Sequence, residues 1–487
     1  MQGKPYAGNP HVRFDEGEVA PSATPRRGSL LYKKLHMLMM IGSAVVAVGA
    51  VSHAEGGEFC THFRPNSKNC LYKPGDRAVV EVSFADKAGN SLKSGVVDVW
   101  ADDGWTNIVW RRKVDLAKEL QPVRMELSRS TPGSLRIRAK GCDCPVRAQM
   151  DRVLFGVDEI NPLTPCPADF EAYWRGEQKR LERDVPIDAK KVLAPELTMA
   201  DHDVFRVSFA TFGGKRIYGL LTVPKGNGEG PFPAVVSVPG AGYGDQRLNR
   251  EIVRKGWVTL MMNIHCFPLD GTHEEYVGRY WDWFDKFVRA AGEKRYQLVG
   301  YAAGPEATLY HGTILGMTRA VEWLSRERYV DSSRVVYYGC SQGGGYGLFL
   351  SAMWGKFAKT FVMCPNKCDT CAHLRGRQPG SSHVMTQRPE NRKAAERNAP
   401  YLDNCNFARM IKTPLRLTVG SADDNCQTVG IIAAYNMISS KDKEMKVVPG
   451  KGHGWLTEGY DKWLFDLNRQ ITNYERKQNN GAPSKAR

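Results

Sequence analysis

Several features are missing from this 487-residue chain. It has no internal repeat, which excludes solenoids and propellers. It has no apolar run of about 20 residues, the length of a membrane-spanning helix; its conspicuous uncharged stretch, Met37 to Val51, is shorter. Its body has no basic helix or arginine-rich tract. The net charge of +16 is therefore spread over a solvated surface and does not mark a nucleic-acid partner. Histidine is sparse, with eleven in all, and this later narrows the choice of a general base. Hydrophobic residues at 42% and charged residues at 25% are ordinary for a globular protein. The length suits about two or three domains.

Met37 to Val51 has the length of a signal-peptide core. It follows Lys33 and Lys34 and precedes small residues in Ser52-His53-Ala54. Residues 1–54 are read as a signal region with a polar extension, and a start at Met37 would account for the long leader. The protein is expected to be exported, periplasmic or secreted, with no stable membrane contact after cleavage. An uncleaved N-terminal anchor is the alternative. Export makes the twelve cysteines candidates for disulfides. Cys60 and Cys70 can close a small loop, whereas Cys142 and Cys144 pair elsewhere. Cys364, Cys368 and Cys371 form a C-x3-C-x2-C cluster. Its alternative is a zinc site with Cys405 or His373 as fourth ligand.

Residues 55–157 contain short alternating runs, Arg77 to Phe84, Val96 to Trp100 and Ser134 to Ala139, separated by turn residues. They predict a small all-β, immunoglobulin-like sandwich. Its Trp100, Trp105 and Trp110 are read as packing residues in preference to a carbohydrate-binding face. A proline-rich connector, Asn161 to Pro167, leads to a helix start at Ala168 to Arg175. Residues 165–475 then alternate apolar strands (Ile217 to Val223, Ala234 to Val238, Trp257 to Met262, Val335 to Tyr338, Leu415 to Val419) with helical stretches such as Thr313 to Arg326. That alternation predicts a mainly parallel sheet with helices on both faces. Residues 476–487 are a polar tail.

Val335-Val-Tyr-Tyr-Gly-Cys-Ser-Gln-Gly-Gly-Gly345 contains G-x-S-x-G. This pattern sets Ser341 on a sharp strand-to-helix turn, with the Gln342 N–H aimed at a developing oxyanion. Serine needs a base, and only His373, His383 and His453 follow it. His453 lies just after the apolar segment Met445 to Val448, where a base belongs; His373 and His383 fall in a polar, cysteine-bearing segment. The acid should follow the strand at Leu415, where Asp423 and Asp424 are adjacent and spacing favours neither. The small residues of Pro239-Gly-Ala-Gly242 offer the Ala241 N–H as second oxyanion donor.

These residues resemble the acetyl xylan esterase/cephalosporin-C deacetylase family of α/β-hydrolases over roughly Pro165 to Leu467. The resemblance rests on Thr318-Arg-Ala-Val-Glu322, Asp331-Ser-Ser-Arg-Val335, Gly339-Cys-Ser-Gln-Gly343, Tyr401 to Ala408, Gly420 to Cys426 and Ala433-Ala-Tyr-Asn436. It implies Ser341, Asp423 and His453 as catalytic residues, and the backbones of Gln342 and Ala241 as oxyanion donors. Asn263-Ile-His-Cys-Phe-Pro268 replaces the family's R-G-Q motif, and His453-Gly454 its H-E. His265 is accordingly open to two readings, as a pocket residue or a structural one. The implied activity is acyl-enzyme hydrolysis of acetyl esters on a sugar, with no metal or organic cofactor and an acetylated carbohydrate as partner. Alternatives are a glucuronoyl esterase, an exported serine peptidase, and a non-catalytic carbohydrate-binding protein. The oligomeric state stays open.

Overall fold

The early strands alternate, and alternation sorts their side chains between core and solvent. In the computed structural model, which describes residues 59–453 except 147, 226–229, 243–251, 254 and 382–383, they form two sheets. One contains β1 (Cys60–Pro65), β3 (Arg77–Ala85) and β6 (Val123–Ser128). The other contains β2 (Leu71–Tyr72), β4 (Val96–Asp102), β5 (Ile108–Asp115), β7 (Gly133–Gly141) and β8 (Gln149–Phe155). The orders are β1-β3-β6 and β2-β8-β7-β4-β5, an immunoglobulin-like sandwich. Ala78, Val80, Val82 and Phe84 face Val97, Val99, Leu135, Ile137 and Phe155 across a dry core. Each such large side chain contributes about 1.5–3 kcal/mol by leaving water. Trp110 packs at the edge of that core, and Trp100 lies under the Arg138 guanidinium.

The second part is one nine-stranded sheet. Its strands are β9 (Lys190–Leu193), β10 (His202–Ala210), β11 (Arg216–Pro224), β12 (Phe232–Val238), β13 (Val258–Asn263), β14 (Val330–Cys340), β15 (Lys359–Met363), β16 (Leu415–Gly420) and β17 (Lys443–Val448). Their spatial order is β9-β10-β11-β13-β12-β14-β15-β16-β17. The segment from β13 through β17 is parallel throughout. Strand order reverses beside β12, so the carboxyl ends of β12 and β14 mark the switch point at which open α/β sheets bind ligands. The helices are α1 (Phe170–Asp184), α2 (His273–Phe284), α3 (Leu309–Ser325), α4 (Gln342–Met353), α5 (Pro389–Asn398), α6 (Asn404–Ala408) and α7 (Thr428–Met437). Helix α3 starts where the Thr308 hydroxyl caps the His311 N–H. It buries Ile314, Met317, Val321 and Leu324, the positions whose spacing predicted it. Sandwich and sheet belong to one compact unit.

The expected disulfides are corrected by the structure: all twelve cysteines are free. Cys60 lies in register with Ala85 on one sandwich sheet, whereas Cys70 leads into the edge strand of the other. Cys364, Cys368, Cys371, Cys405 and Cys426 are buried, and they serve as small apolar side chains. Three of these thiols meet backbone carbonyls, Cys368 Sγ that of Asn366, Cys371 Sγ that of Glu396 and Cys405 Sγ that of Gly430, and Cys426 Sγ lies 4.0 Å from Ser341 Oγ. Among the described residues no helix is long and apolar enough to cross a membrane. The signal region 1–54 and the tail 476–487 lie outside the described residues.

Helix α1 docks through Trp174. It is fully buried, packs on Phe407 and donates Nε1–H to the Tyr401 carbonyl at 2.8 Å. Trp174→Ala should therefore lower stability by about 3–5 kcal/mol, measured by urea unfolding. A loss below about 1 kcal/mol would show that the α1 contact is not the one that holds.

Candidate active site

Ser341 sits between the end of β14 and the start of α4 with φ 56° and ψ −118°. For a residue with a Cβ this backbone is strained by about 1–3 kcal/mol. Three hydrogen bonds hold it: the Ser341 N–H donates to Met363 O at 2.9 Å, and its carbonyl accepts from Gly345 N at 3.0 Å and Asn366 N at 3.1 Å. The flanking glycines are required by contact. A Cβ on Gly339 would collide with the Gly343 carbonyl, and one on Gly343 with the Val238 carbonyl. The end of β12 is thereby pressed against the turn that projects the serine.

The other two predicted residues arrive from the next strand ends. Asp423 follows β16 and is fully buried; its Oδ1 accepts from Asn425 N at 3.0 Å and Cys426 N at 2.9 Å. His453 follows β17. Its Nδ1 lies 2.9 Å from Asp423 Oδ2, and its Nε2 lies 3.1 Å from Ser341 Oγ. With the carboxylate on Nδ1–H, Nε2 is left as the acceptor for the serine hydroxyl. The two loops are tied together: Ala422 N donates to Lys451 O at 3.0 Å, and Ser421 N to Val448 O at 3.0 Å. Asp424 lies on a turn of the same loop and points away from the histidine, pairing with Arg152 and Arg136.

Gln342 opens α4, where a backbone N–H has no intrahelical acceptor. Its side chain is buried, and Oε1 accepts from Tyr296 Oη at 2.8 Å and Tyr310 Oη at 3.2 Å. The Tyr296 hydroxyl also accepts from Gly242 N at 3.2 Å. One phenol thus links the loop carrying Ala241 to the residue after Ser341. Sequence reasoning missed Tyr296 and Tyr310, whose roles depend on contacts far along the chain.

His373 donates or accepts at Glu396, 2.9 Å away, and does not join the site; His383 lies outside the described residues. The C-x3-C-x2-C sulfurs do not converge. Among the described residues the one grouping with metal-ligand spacing is Cys364, Asp423 and His453. Two of these are already hydrogen-bonded to each other, and burial pushes the Cys364 thiol well above its usual range. A buried neutral thiol is a poor metal ligand.

The fold and this arrangement define a serine hydrolase of the α/β-hydrolase class. A family model described as Acetyl xylan esterase (AXE1) matches residues 148–467. The chain belongs to that family and is a carboxylic ester hydrolase that removes acetyl groups from acetylated carbohydrate. It is similar to the acetyl esterase Axe7A of Xylanibacter ruminicola, 24% identical over 466 residues, which span 93% of this chain and 99% of the relative. Among solved structures it is similar to the acetyl xylan esterase from Paenibacillus sp. R4. The TM-score is 0.51 at 20% identity, over 64% of this chain and 98% of that one; this likeness bears on the fold.

His265, which stands in the segment replacing the family's R-G-Q motif, is a core residue. It is fully buried, and its ring contacts Phe267, Tyr280, Trp283 and Tyr296 at centroid distances of 5.7, 5.0, 5.0 and 5.3 Å. Neither ring nitrogen has a hydrogen-bond partner among the described residues. Burial pushes its pKa down from 6.5 to about 3. As pH falls below 6.5 the unfolded chain takes up a proton that the native chain refuses until about pH 3, so stability present above 6.5 is lost across that window. His265→Phe should keep the fold and lose less stability between about pH 7 and about pH 4.5 than wild type, measured as Tm at both values. An identical loss in the two proteins would assign the acid sensitivity elsewhere.

Proposed function

We propose that Ser341 is the nucleophile of the esterase, His453 its general base and acid, and Asp423 the carboxylate that orients the imidazole. What supports this reading is one continuous line of contacts, hydroxyl to imidazole at 3.1 Å and imidazole to carboxylate at 2.9 Å. Its members come from the carboxyl ends of β14, β16 and β17. The serine attacks the ester carbonyl carbon while Nε2 takes its proton. The carbonyl oxygen gains negative charge opposite the N–H groups of Gln342 and Ala241, each worth about 3 kcal/mol in such a site. The protonated imidazole then gives its proton to the sugar oxygen as the bond from that oxygen to the acyl carbon breaks, releasing the sugar hydroxyl and leaving an acetyl-serine. Water enters, loses a proton to Nε2, and attacks the acetyl carbon. Acetate leaves and the serine hydroxyl is restored.

The small acyl group follows from family membership and from the acetyl esterase named among its relatives. The acetylated carbohydrate is read as xylan or its oligosaccharides. The enzyme is read as exported on the strength of the apolar segment Met37 to Val51.

Ser341→Ala and His453→Ala should each abolish release of p-nitrophenol from p-nitrophenyl acetate, and Asp423→Asn should lower kcat by roughly 10⁴-fold. Wild type should liberate acetate from acetylated xylo-oligosaccharides faster than it cleaves a methyl glucuronate ester. Preference for the glucuronate would move the substrate to a uronate ester. Full activity of Ser341→Ala would remove the nucleophile from the proposal.

A further inference from the structure

The sandwich is built to grip the catalytic loops. Alternation along β7 and β8 sends Leu135, Ile137, Val153 and Phe155 into the sandwich core, and therefore sends Arg136 and Arg152 out of the opposite face. The two are in register on neighbouring strands, with Asp102 in register beside Arg136 on β4. Both guanidiniums are buried, with side chains 8% and 0% exposed. Like charges directly opposite one another destabilise a sheet, so this face needs anions. Asp102 supplies one, accepting from Arg136 Nε at 2.9 Å. Asp424, the neighbour of the acid Asp423, supplies the other. It accepts from Arg152, from Arg136 at 3.1 Å and from Gln378 Nε2 at 3.0 Å. Burial alone would raise the Asp424 carboxyl, but the Arg152 and Arg136 charges outweigh it and hold it well below the usual carboxylate range.

The grip reaches past Asp424. Arg152 also donates to the backbone carbonyl of Asp423 at 3.0 Å and to that of Ser421 at 3.4 Å. The preceding residue, Asp151, accepts from Ser421 Oγ at 2.8 Å, and Ser421 Oγ accepts from Gly450 N at 2.8 Å. Two adjacent residues of one sandwich strand thus hold the acid loop directly and the base loop through one hydroxyl.

We infer that the immunoglobulin-like domain is a working part of the active site, with Arg152 and Asp151 as positioning residues that act through Asp424 and Ser421 to hold Asp423 against His453. This rests on the catalytic reading of Asp423 and His453 above. It explains how a loop with two adjacent aspartates commits one of them: an ionised Asp424 is captured by the guanidiniums, and Asp423 alone faces the imidazole.

The test is a double-mutant cycle on the full chain with p-nitrophenyl acetate. Arg152→Met should lower kcat by roughly tenfold or more with KM within about twofold, the signature of displaced catalytic groups. In an Asp423→Asn background the same change should cost less than about twofold, because the group it positions is already gone. Asp424→Asn, equal in size, should give the same non-additive pattern and carries the test if Arg152→Met does not fold. A wild-type kcat in Arg152→Met or Asp424→Asn overturns the inference. So does an equal loss in both backgrounds, which would mark a merely structural role. If Asp423→Asn itself turns over at the wild-type rate, the acid assignment falls, and the clamp falls with it as a catalytic device. If Asp423→Asn is crippled and Arg152→Met is not, the clamp alone falls.

Discussion

The contact on which the site depends is between two backbones. Val238 at the end of β12 presses its carbonyl against Gly343, two residues past Ser341. That approach tolerates no Cβ, and it locks the bend that holds Ser341 at positive φ. The strain is local, whereas the restraints come from three directions: β12 from one side, Met363 at the end of β15 from another, and the first turn of α4 from below. A serine hydroxyl raised above the sheet by an over-determined turn has little conformational freedom to lose on reaching the transition state. This is the physical content of preorganisation at such a bend. The Tyr296 bridge between Gly242 and Gln342 extends the same logic to the loop after β12, since it couples that loop to the start of α4.

Much of this was legible in the residues because the relevant constraints are short-range. Gly339 reports a steric clash with a carbonyl four residues on, so that half of the pattern carries its own reason, whereas Gly343 answers to Val238 on a distant strand. The core strands of the sheet are unbroken apolar runs, and their positions agree with β11, β12, β13, β14 and β16 to within a few residues. The helix read from Thr313 is α3, extended by one turn to its Thr308 cap. His453 was identifiable by elimination among few histidines and by its place after an apolar strand. Three of the strands that left no mark did so for identifiable reasons. All four residues of β9 are exposed, so burial imprints no pattern on them. β15 has only five residues. β8 has Asp151 and Arg152 in its middle, and these break its apolar character where they reach toward the acid loop.

The remaining gaps are long-range. Nothing within Ser421 to Cys426 separates Asp423 from Asp424, because the difference between them is made by arginines more than 270 residues earlier in the chain. The cysteines misled for a related reason. An expectation of export and twelve thiols argue for pairing on average, but pairing is decided by which sulfurs the fold brings together, and here Cys368, Cys371 and Cys405 face carbonyls.

The same comparison bears on why charge is buried at all between the two parts of the molecule. An ion pair taken out of water seldom improves stability over an apolar contact of equal volume, because desolvation offsets the attraction. What it can add is a unique geometry. Apolar side chains at 136, 152 and 424 could slide against one another by small shifts without large cost, whereas a guanidinium shared among a carboxylate and two carbonyls accepts few arrangements. The acid loop requires that kind of restraint. Asp423 Oδ2 must stay within hydrogen-bond reach of an imidazole carried by a different loop, and an error of about 1 Å there is enough to disengage a catalytic group. Burying arginines at this junction therefore makes physical sense as a means of fixing position, even where it contributes little to the free energy of folding.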